Sequence, residues 1–289
     1  MLIDSLAFTL EKSGCLDTFW GKLDAGEDAT LGVAASARPS SVAARFAHAP
    51  QPTLVVVAGE DAAVAFARNV AAYVGEERVL RFPERVDYPF DPKPADRRVI
   101  AQRMEAAWAL KSGREVVVVA SARALLRLLP PVEANAARPI ALTAGEARRI
   151  WASRASRSWA TCPAPWRPPA TPTPASWTAR APSPCAAAPW MCSPATCPFP
   201  VRLDFFGDEL DEIRRIVPAT GQTISSLPSV EIYPVSEFPT SPGALADARR
   251  ALEKPALTNP ALRDALEKLE GGFASTAPMW CCRFCTRSR

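Results

Sequence analysis

Cysteine is the residue type with the most distinctive chemistry in this chain of 289 residues. Cys282 and Cys285 form a C-x-x-C pair, a spacing typical of zinc ligation, and they could bind zinc together with Cys192 and Cys197. However, seven of the eight cysteines lie in two tracts that carry no other folding signal, 151–200 and 272–289. We therefore predict no metal site.

Other residues that could support catalysis are isolated. His48 is the only histidine, so a Ser/His/Asp triad has little support, and we interpret His48 as a surface loop residue. Glu209, Asp211 and Glu212 form a group of carboxylates, which on a predicted hairpin is typical of a solvated edge. The sequence therefore predicts no catalytic residue and no bound cofactor.

A phosphate-binding loop is missing where an α/β protein would carry one. The segment after the first predicted strand reads AGEDAAVA, without the pattern G-x-x-x-x-G-K-[ST]. The Gly21-Lys22 pair is followed by Leu23 instead of Ser or Thr. Because ATP hydrolysis by such a loop needs the lysine and the magnesium-binding hydroxyl, we predict that this chain is not an enzyme.

The overall charge gives no argument for nucleic-acid binding. The formal net charge is +4, but seven arginines and no acidic residues lie in the two cysteine-containing tracts. The rest of the chain has 27 basic and 30 acidic residues, which makes it mildly acidic.

The sequence also gives no sign of export or membrane insertion. Its start, MLIDSLAFTLEKSG, carries acidic residues where a secretory signal would be basic and then apolar. No apolar run reaches the roughly 18 to 20 residues of a membrane span. We therefore expect a cytoplasmic protein.

Predicted strands and helices, which must position any site, alternate along the chain up to Pro130 and Pro131. Apolar β-branched runs predict buried parallel strands, with 53–58 buried on both faces, and amphipathic segments predict the helices between them. The predicted strands are 53–58, 78–82 and 115–120, and the predicted helices are 60–73, 96–111 and one capped by Ser121 that runs to 128.

Beyond Pro200 the pattern becomes that of an antiparallel hairpin. VRLDFF (201–206) and ELDEIRRI (209–216) alternate on either side of a Gly-Asp turn signal. Because side chains alternate along a strand, Val201, Leu203 and Phe205 are expected to face the core, and Arg202, Asp204 and Phe206 to face outward. A further strand is predicted at 229–233, with helices at 243–252 and 259–269.

The two cysteine-containing tracts are best explained as translation in the wrong frame. Read two bases along, 185–193 can encode R-G-G-A-L-D-V-F, which alternates like a strand and runs into PVRLDFF. The segment 278–286 gives a mostly apolar run in the same frame. We therefore interpret 151–199 and 272–289 as out of frame, and we expect the proline-rich first tract to be irregular or disordered. Loss of this neighbour would leave the Arg202 strand as an unpaired edge.

Two blocks of the sequence resemble the N-terminal UvrB-like module of the bacterial transcription-repair coupling factor family (Mfd). They are VRLDFFGDELDEIRRIVPATGQTISSLPSVEIYPVSEFP (201–239) and DYPFDPKPADRRVIAQRMEAAWAL (87–110), the latter followed by EVVVVASARALLRLLPP. The hidden R-G-G-x-x-D-V-F fits the same family, and the resemblance covers most of residues 50–270. The missing phosphate-binding loop favours coupling factors over UvrB itself.

The resemblance implies recruitment of UvrA in transcription-coupled nucleotide excision repair. In the family, UvrA is contacted by an arginine and a phenylalanine of the VRLDFF strand, which match Arg202 and Phe206 here, and by the arginine of R-G-G. The Cys185-Ala186 region replaces that third arginine, so UvrA binding is expected to be impaired. The family's motor and RNA-polymerase-binding regions lie further along, so DNA and RNA polymerase would be contacted only through regions absent from this chain.

The predicted fold class is α/β: a degenerate helicase-like parallel-sheet domain with an inserted small α+β subdomain that recruits UvrA. The predicted parts are the first piece of the UvrB-like domain (1–130), the inserted subdomain (131–222), the second piece (223–271) and an out-of-frame tail (272–289).

Two other classes of function stay open. A small-molecule α/β enzyme would need polar residues converging in a pocket, and the sequence shows no such cluster. A proline-rich interaction protein would use 163–184 as a polyproline II ligand for a partner.

Overall fold

The chain forms two compact units in a computed structural model. Unit 1 comprises residues 1–84 and 105–128, and unit 2 comprises 85–104 and 129–289. The predicted boundaries at 130, 222 and 271 stay predictions. The structure describes residues 9, 12–14, 16–86, 96–127, 129, 137–147, 190–192, 199–206, 209–217, 219–234, 237, 242–260, 263, 264 and 267.

Unit 1 is built on a three-stranded parallel sheet, as the sequence predicted. Its strands are β1 (Thr53–Val57), β2 (Val79–Phe82) and β3 (Val117–Ser121), in the order β1-β3-β2. The helices are α1 (Asp17–Asp24), α2 (Arg38–His48), α3 (Glu60–Val74), α4 (Arg97–Lys111), whose second half belongs to this unit, and α5 (Ala122–Leu125). Short 3-10 turns lie at Ala35–Ala37 and Glu76–Arg78.

The central strand β3 is buried on both faces because helices pack on each side of it. On one face, Val117 and Val119 pack with Phe46 of α2 and with Ala67 and Val70 of α3. On the other face, the core consists of Phe82, Ala106, Ala109, Val116, Val118, Ala120 and Ala124. A continuous apolar run is therefore the correct sequence signal for this strand.

The prediction that β1 is buried on both faces is wrong. Leu54 and Val56 are 44% and 50% exposed, although Val55 and Val57 pack against the α2–α3 side. In the described part of the chain, β1 lies at the edge of its sheet. The core on the opposite face is centred on β2, β3 and α4, and it does not extend to Leu54 and Val56.

Two local predictions in unit 1 also need correction. The helix after β3 is capped by Ser121, whose hydroxyl oxygen accepts from the Ala124 N–H at 3.1 Å, but it ends at Leu125 instead of near 128. His48 does not lie in a loop: it is the last residue of α2, and its ring stacks on Trp20 with the ring centroids 4.6 Å apart.

Unit 2 contains two antiparallel sheets. The larger has the order β5-β8-β7-β6, with β9 also paired to β8, and the smaller pairs β10 with β4. The strands are β4 (Ile140–Thr143), β5 (Glu146–Ala147), β6 (Trp190–Cys192), β7 (Val201–Phe206), β8 (Glu209–Ile216), β9 (Thr223–Leu227) and β10 (Ser229–Ile232). They are followed by α6 (Pro242–Ala256), which is longer than the predicted 243–252.

The two sheets of unit 2 share one apolar core. Val201 and Leu203 of β7, with Leu210 and Ile213 of β8, pack against Ile140 and Leu142 of β4 and Val230 of β10. In β7 the buried residues alternate, as the sequence predicted, whereas in β8 the buried Leu210 and Ile213 are three positions apart because of an extra residue between them. One face of the larger sheet is thereby buried and the other is left for solvent or a partner.

The prediction that the Arg202 strand is an unpaired edge is wrong. Strand β6 pairs with it antiparallel, with Trp190 opposite Leu203, Met191 opposite Arg202 and Cys192 opposite Val201. Main-chain N–H and C=O groups form this ladder, so a residue other than proline can contribute whatever its side chain. Most of the first tract, the tail and much of the predicted 259–269 helix lie outside the described residues.

An ion cluster of one carboxylate and two guanidinium groups is buried in unit 2. Glu237 is 4% exposed and accepts from Arg103, which is fully buried, through Oε1 at 2.5 Å. Its other oxygen, Oε2, accepts from Arg85, which is 6% exposed. The cluster thus joins distant segments of the chain, since Arg85 and Arg103 precede Glu237 by 152 and 134 residues.

We expect Glu237→Ala to lower the free energy of unfolding by about 3–5 kcal/mol, because it removes the carboxylate that two buried guanidinium groups bind. Urea unfolding followed by circular dichroism measures this change. Asp247→Ala is the matched control, since Asp247 pairs with Arg250 at 3.5 Å on the surface of α6 and such pairs contribute about 0–1 kcal/mol. Equal losses in the two variants would contradict the prediction.

Candidate partner-binding surface

The outer face of β7 carries the two residues singled out by the sequence. Val201 and Leu203 are 0% and 4% exposed, whereas Phe206 is 82% exposed. Arg202 and Asp204 are partly exposed between them. The predicted inward and outward alternation is therefore confirmed at these positions, while the side chain of Phe205 lies outside the description.

Arg202 is fixed by its neighbour on the same face of the strand. Its Nε donates to Oδ1 of Asp204 at 2.8 Å, and its side chain remains 38% exposed. Residues two apart on a strand lie about 7 Å from each other on the same face. Arg202, Asp204 and Phe206 therefore form a line along β7.

Strand β8 adds a second row of charges beside this line. Arg214 lies directly opposite Arg202, and Glu212 lies directly opposite Asp204. The Arg214 Nε is 3.6 Å from Asp204 Oδ2, and its terminal amino group donates to Glu212. Ser226 of β9 donates to the other oxygen of Glu212 at 2.7 Å. The result is a neutral group of two arginines and two carboxylates, here called the charged square (Arg202, Asp204, Glu212 and Arg214).

The charged square was missed at the level of the sequence, although half of its signal was present. The charged residues of ELDEIRRI were visible in the sequence, but strict alternation would put Glu212 and Arg214 on the same face as Leu210, which is buried. The pairing with β7 does not follow from alternation either, because the register shifts between Asp204 and Phe205 and leaves Asp211 as an extra, exposed residue. The bulge brings Glu212 and Arg214, not their neighbours, opposite Asp204 and Arg202.

The group of carboxylates on the hairpin has no catalytic arrangement in the described structure. Glu209 and Asp211 are exposed, and Glu212 is bound by Arg214 and Ser226. Within the described residues, no group of three or more His, Cys, Asp or Glu side chains could hold a metal ion. Cys197, Cys281, Cys282 and Cys285, and the region 185–186 where the family arginine is expected, lie outside those residues.

Contacts within the charged square change the protonation equilibria of its members. The hydrogen bond from Arg214, followed by that from Ser226, lowers the pKa of Glu212 below its ordinary value. The same contact with Glu212 raises the pKa of the Arg214 guanidinium. Both side chains therefore stay ionised throughout the physiological range.

We expect Arg214→Gln to raise the pKa of Glu212 toward the ordinary glutamate range, because the largest cause of its lowering is removed. Since the folded-state pKa is the lower one, the stability from this contact is present above the unfolded value and is lost as pH falls through the folded value. A carbon-13 NMR titration of the Glu212 carboxyl measures the shift. An unchanged titration in the variant would show that Arg214 is not the cause.

In the described part of the chain, no helix is long and apolar enough to cross a membrane.

The segment that carries this surface is similar to a known protein family. The UvrB interaction domain family matches residues 192–238. A transcription-repair-coupling factor from Myxococcus xanthus is 27% identical over an alignment of 262 residues that covers 84% of this chain and 20% of the relative. UvrABC system protein B from Gloeothece citriformis is 41% identical over 70 residues, 24% of this chain and 10% of the relative.

A second UvrABC system protein B, from a Nostoc species, is 55% identical over 40 residues, 14% of this chain and 6% of the relative. The chain thus spans about a fifth or less of the length of these three relatives. The long alignment to the coupling factor includes both units, whereas the UvrB matches are short. Residues 192–238 therefore match the UvrB interaction domain, and most of the chain is similar to part of a transcription-repair-coupling factor, in agreement with the resemblance to a UvrB-like module.

Proposed function

We propose that this chain recruits UvrA in nucleotide excision repair, and that Arg202 and Phe206 bind it. The observation that carries the proposal is the exposure of Phe206, at 82%, on the same strand face as Arg202. Both residues belong to the segment that matches the UvrB interaction domain. A largely exposed phenylalanine is costly to leave in water, and phenylalanine is a frequent anchor of protein interfaces.

The chemistry of this pair fits a protein partner. Burial of an aromatic ring supplies apolar contact area, and a partly exposed arginine supplies directional hydrogen bonds to a carboxylate or carbonyl group. Residues of this kind at the centre of an interface carry a large part of the binding energy. The surrounding charged square is neutral, so it adds little long-range repulsion against a partner of either sign.

We propose further that the module acts without ATP hydrolysis. The helix after β1 is the usual place for a bound phosphate, but its first turn carries Glu60 and Asp61. The Glu60 carboxylate accepts from Arg81 and, at 3.1 Å, from the main-chain N–H of Glu84. A carboxylate held at this helix end disfavours a phosphate through charge repulsion.

Recruitment of UvrA to stalled RNA polymerase is the finer part of the proposal. It is supported by the alignment with a transcription-repair-coupling factor. Because the chain spans 20% of that relative, we assign contacts with DNA and RNA polymerase to the remainder of such a protein. In this chain, the replaced R-G-G arginine would leave Arg202 and Phe206 as the main contacts, and UvrA binding would be weakened.

We expect Arg202→Ala and Phe206→Ala each to weaken UvrA binding by about 2 kcal/mol, or roughly thirtyfold in Kd. Biolayer interferometry with immobilised UvrA measures both values. Leu126→Ala matches the exposure of Phe206, at 81%, and lies in unit 1, while Arg250→Ala removes a well-exposed arginine of unit 2. Losses of the same size in these controls, or none in the test variants, would refute the assignment.

The reading-frame hypothesis makes a separate prediction. If the shifts are errors of sequencing, resequencing the gene across codons 140–210 and past codon 289 restores one frame that encodes R-G-G-x-x-D-V-F before PVRLDFF; if they are biological, the sequence is unchanged. The restored protein would regain the third arginine and bind UvrA more tightly than this chain. A sequence identical to the present one, base for base, would reject a sequencing error as the origin of the two tracts.

A further inference from the structure

Asp204 lies between the two proposed contact residues without being one of them. It follows Arg202 by two positions and precedes Phe206 by two, on the same face of β7. Its side chain is 21% exposed, less than that of Arg202. A carboxylate at the centre of a binding surface either contacts the partner or organises the residues around it.

We propose that Asp204 is a positioning residue, which holds the Arg202 guanidinium in the orientation that binds UvrA. This inference rests on the proposed function. It is carried by the geometry of the charged square, in which the two carboxylate oxygens of Asp204 make different contacts. Oδ1 accepts from Arg202 at 2.8 Å, whereas Oδ2 is 3.6 Å from Arg214, an ionic contact beyond hydrogen-bond distance.

The contact uses the side of the guanidinium and leaves its end available. Within the described residues, Arg202 donates to Asp204 through Nε, and no other hydrogen bond of this side chain is found. The two terminal amino groups can therefore donate in parallel to one carboxylate of a partner, the geometry in which arginine binds most strongly. A guanidinium oriented before binding also loses less side-chain freedom when the complex forms.

The pairing of the strands gives Asp204 a second effect on Arg202. Arg202 and Arg214 are directly opposite each other, so their main chains are about 5 Å apart and their charges repel. Asp204 contacts both guanidinium groups and offsets this repulsion. Without its charge, we expect the Arg202 side chain to turn away from Arg214 and from the line that leads to Phe206.

The two arginines of the charged square are not equivalent. Arg214 contacts two carboxylates, those of Asp204 and Glu212, whereas Arg202 contacts only that of Asp204 among the described residues. Arg202 is thus the arginine whose charge is less compensated, and it can form a new ion pair at lower cost. This difference supports Arg202 over Arg214 as the contact that the family resemblance implies.

A double-mutant cycle on the full chain tests the inference. We expect Asp204→Ala to weaken binding to immobilised UvrA about tenfold, but by less than about twofold in the Arg202→Ala background, because its effect passes through Arg202. Asp204→Asn, which keeps the shape and one acceptor oxygen, is expected to lie between wild type and Asp204→Ala. Glu231→Ala is the matched control, since Glu231 accepts from Tyr233 two positions away on the other sheet of the unit, at 2.6 Å.

A merely structural role of Asp204 predicts a different pattern. The loss in affinity would then add to that of Arg202→Ala, and the thermal unfolding midpoint would fall, which together would overturn the inference. Wild-type affinity in Asp204→Ala, or tighter binding, would also overturn it. As a readout independent of UvrA, the Nε–H resonance of Arg202 in nitrogen-15 spectra should move in both Asp204 variants, and an unchanged resonance would equally contradict the contact.

Failure of the proposed function has its own signature. If the wild-type chain does not bind UvrA, or if Arg202→Ala binds as wild type does, the assignment of the surface is wrong. The positioning role of Asp204 is then wrong as well, because it depends on that assignment. If Arg202→Ala weakens binding and Asp204→Ala does not, only the positioning role is wrong.

Discussion

The antiparallel pairing of β7 with β8 is the interaction on which the rest of unit 2 depends. It places Val201, Leu203, Leu210 and Ile213 on one face, where β4 and β10 cover them, and it turns Arg202, Asp204 and Phe206 to the other. Strands β5, β6 and β9 all attach to this pair. Because the side-chain period of a strand is two, a slip of one residue would bury the charges and expose the core. Burial of the apolar face therefore also fixes the chemistry of the opposite face.

Sequence patterns predict the parts of the fold in which local and tertiary preferences agree. The alternation of VRLDFF and the uniform burial of β3 are such cases, and both hold in the structure. The exposed face of β1 could not be predicted, because TLVVV and VVVAS have the same local pattern and differ only in their place in the sheet. A strand's position in a sheet is a property of distant segments, which local periodicity does not contain.

The same reason explains why the polar clusters were missed. Arg103 lies within an amphipathic helix, where an arginine is expected at the surface. It is nevertheless fully buried, and it binds the carboxylate of Glu237, which is 134 residues away in the sequence. The charged square likewise depends on a register shift in β8 that brings Glu212 opposite Asp204. Alternation predicted which side chains of β7 point outward. It could not predict which charges of β8 would lie beside them.

Strand β6 shows that main-chain pairing can be kept where the side chains needed for recognition are lost. Trp190–Cys192 pair with β7 at the positions where the shifted frame would encode the Asp-Val of the family pattern, so the ladder forms without those residues. A ladder needs only N–H and C=O groups in register, and tryptophan, methionine and cysteine provide them. Recognition by an arginine requires a guanidinium at a defined position, which no main-chain pairing can replace. The sheet can therefore retain its architecture while the proposed partner-binding surface lacks a contact. In our proposal, binding then depends on Arg202, on Phe206 and on Asp204, whose carboxylate accepts from Arg202.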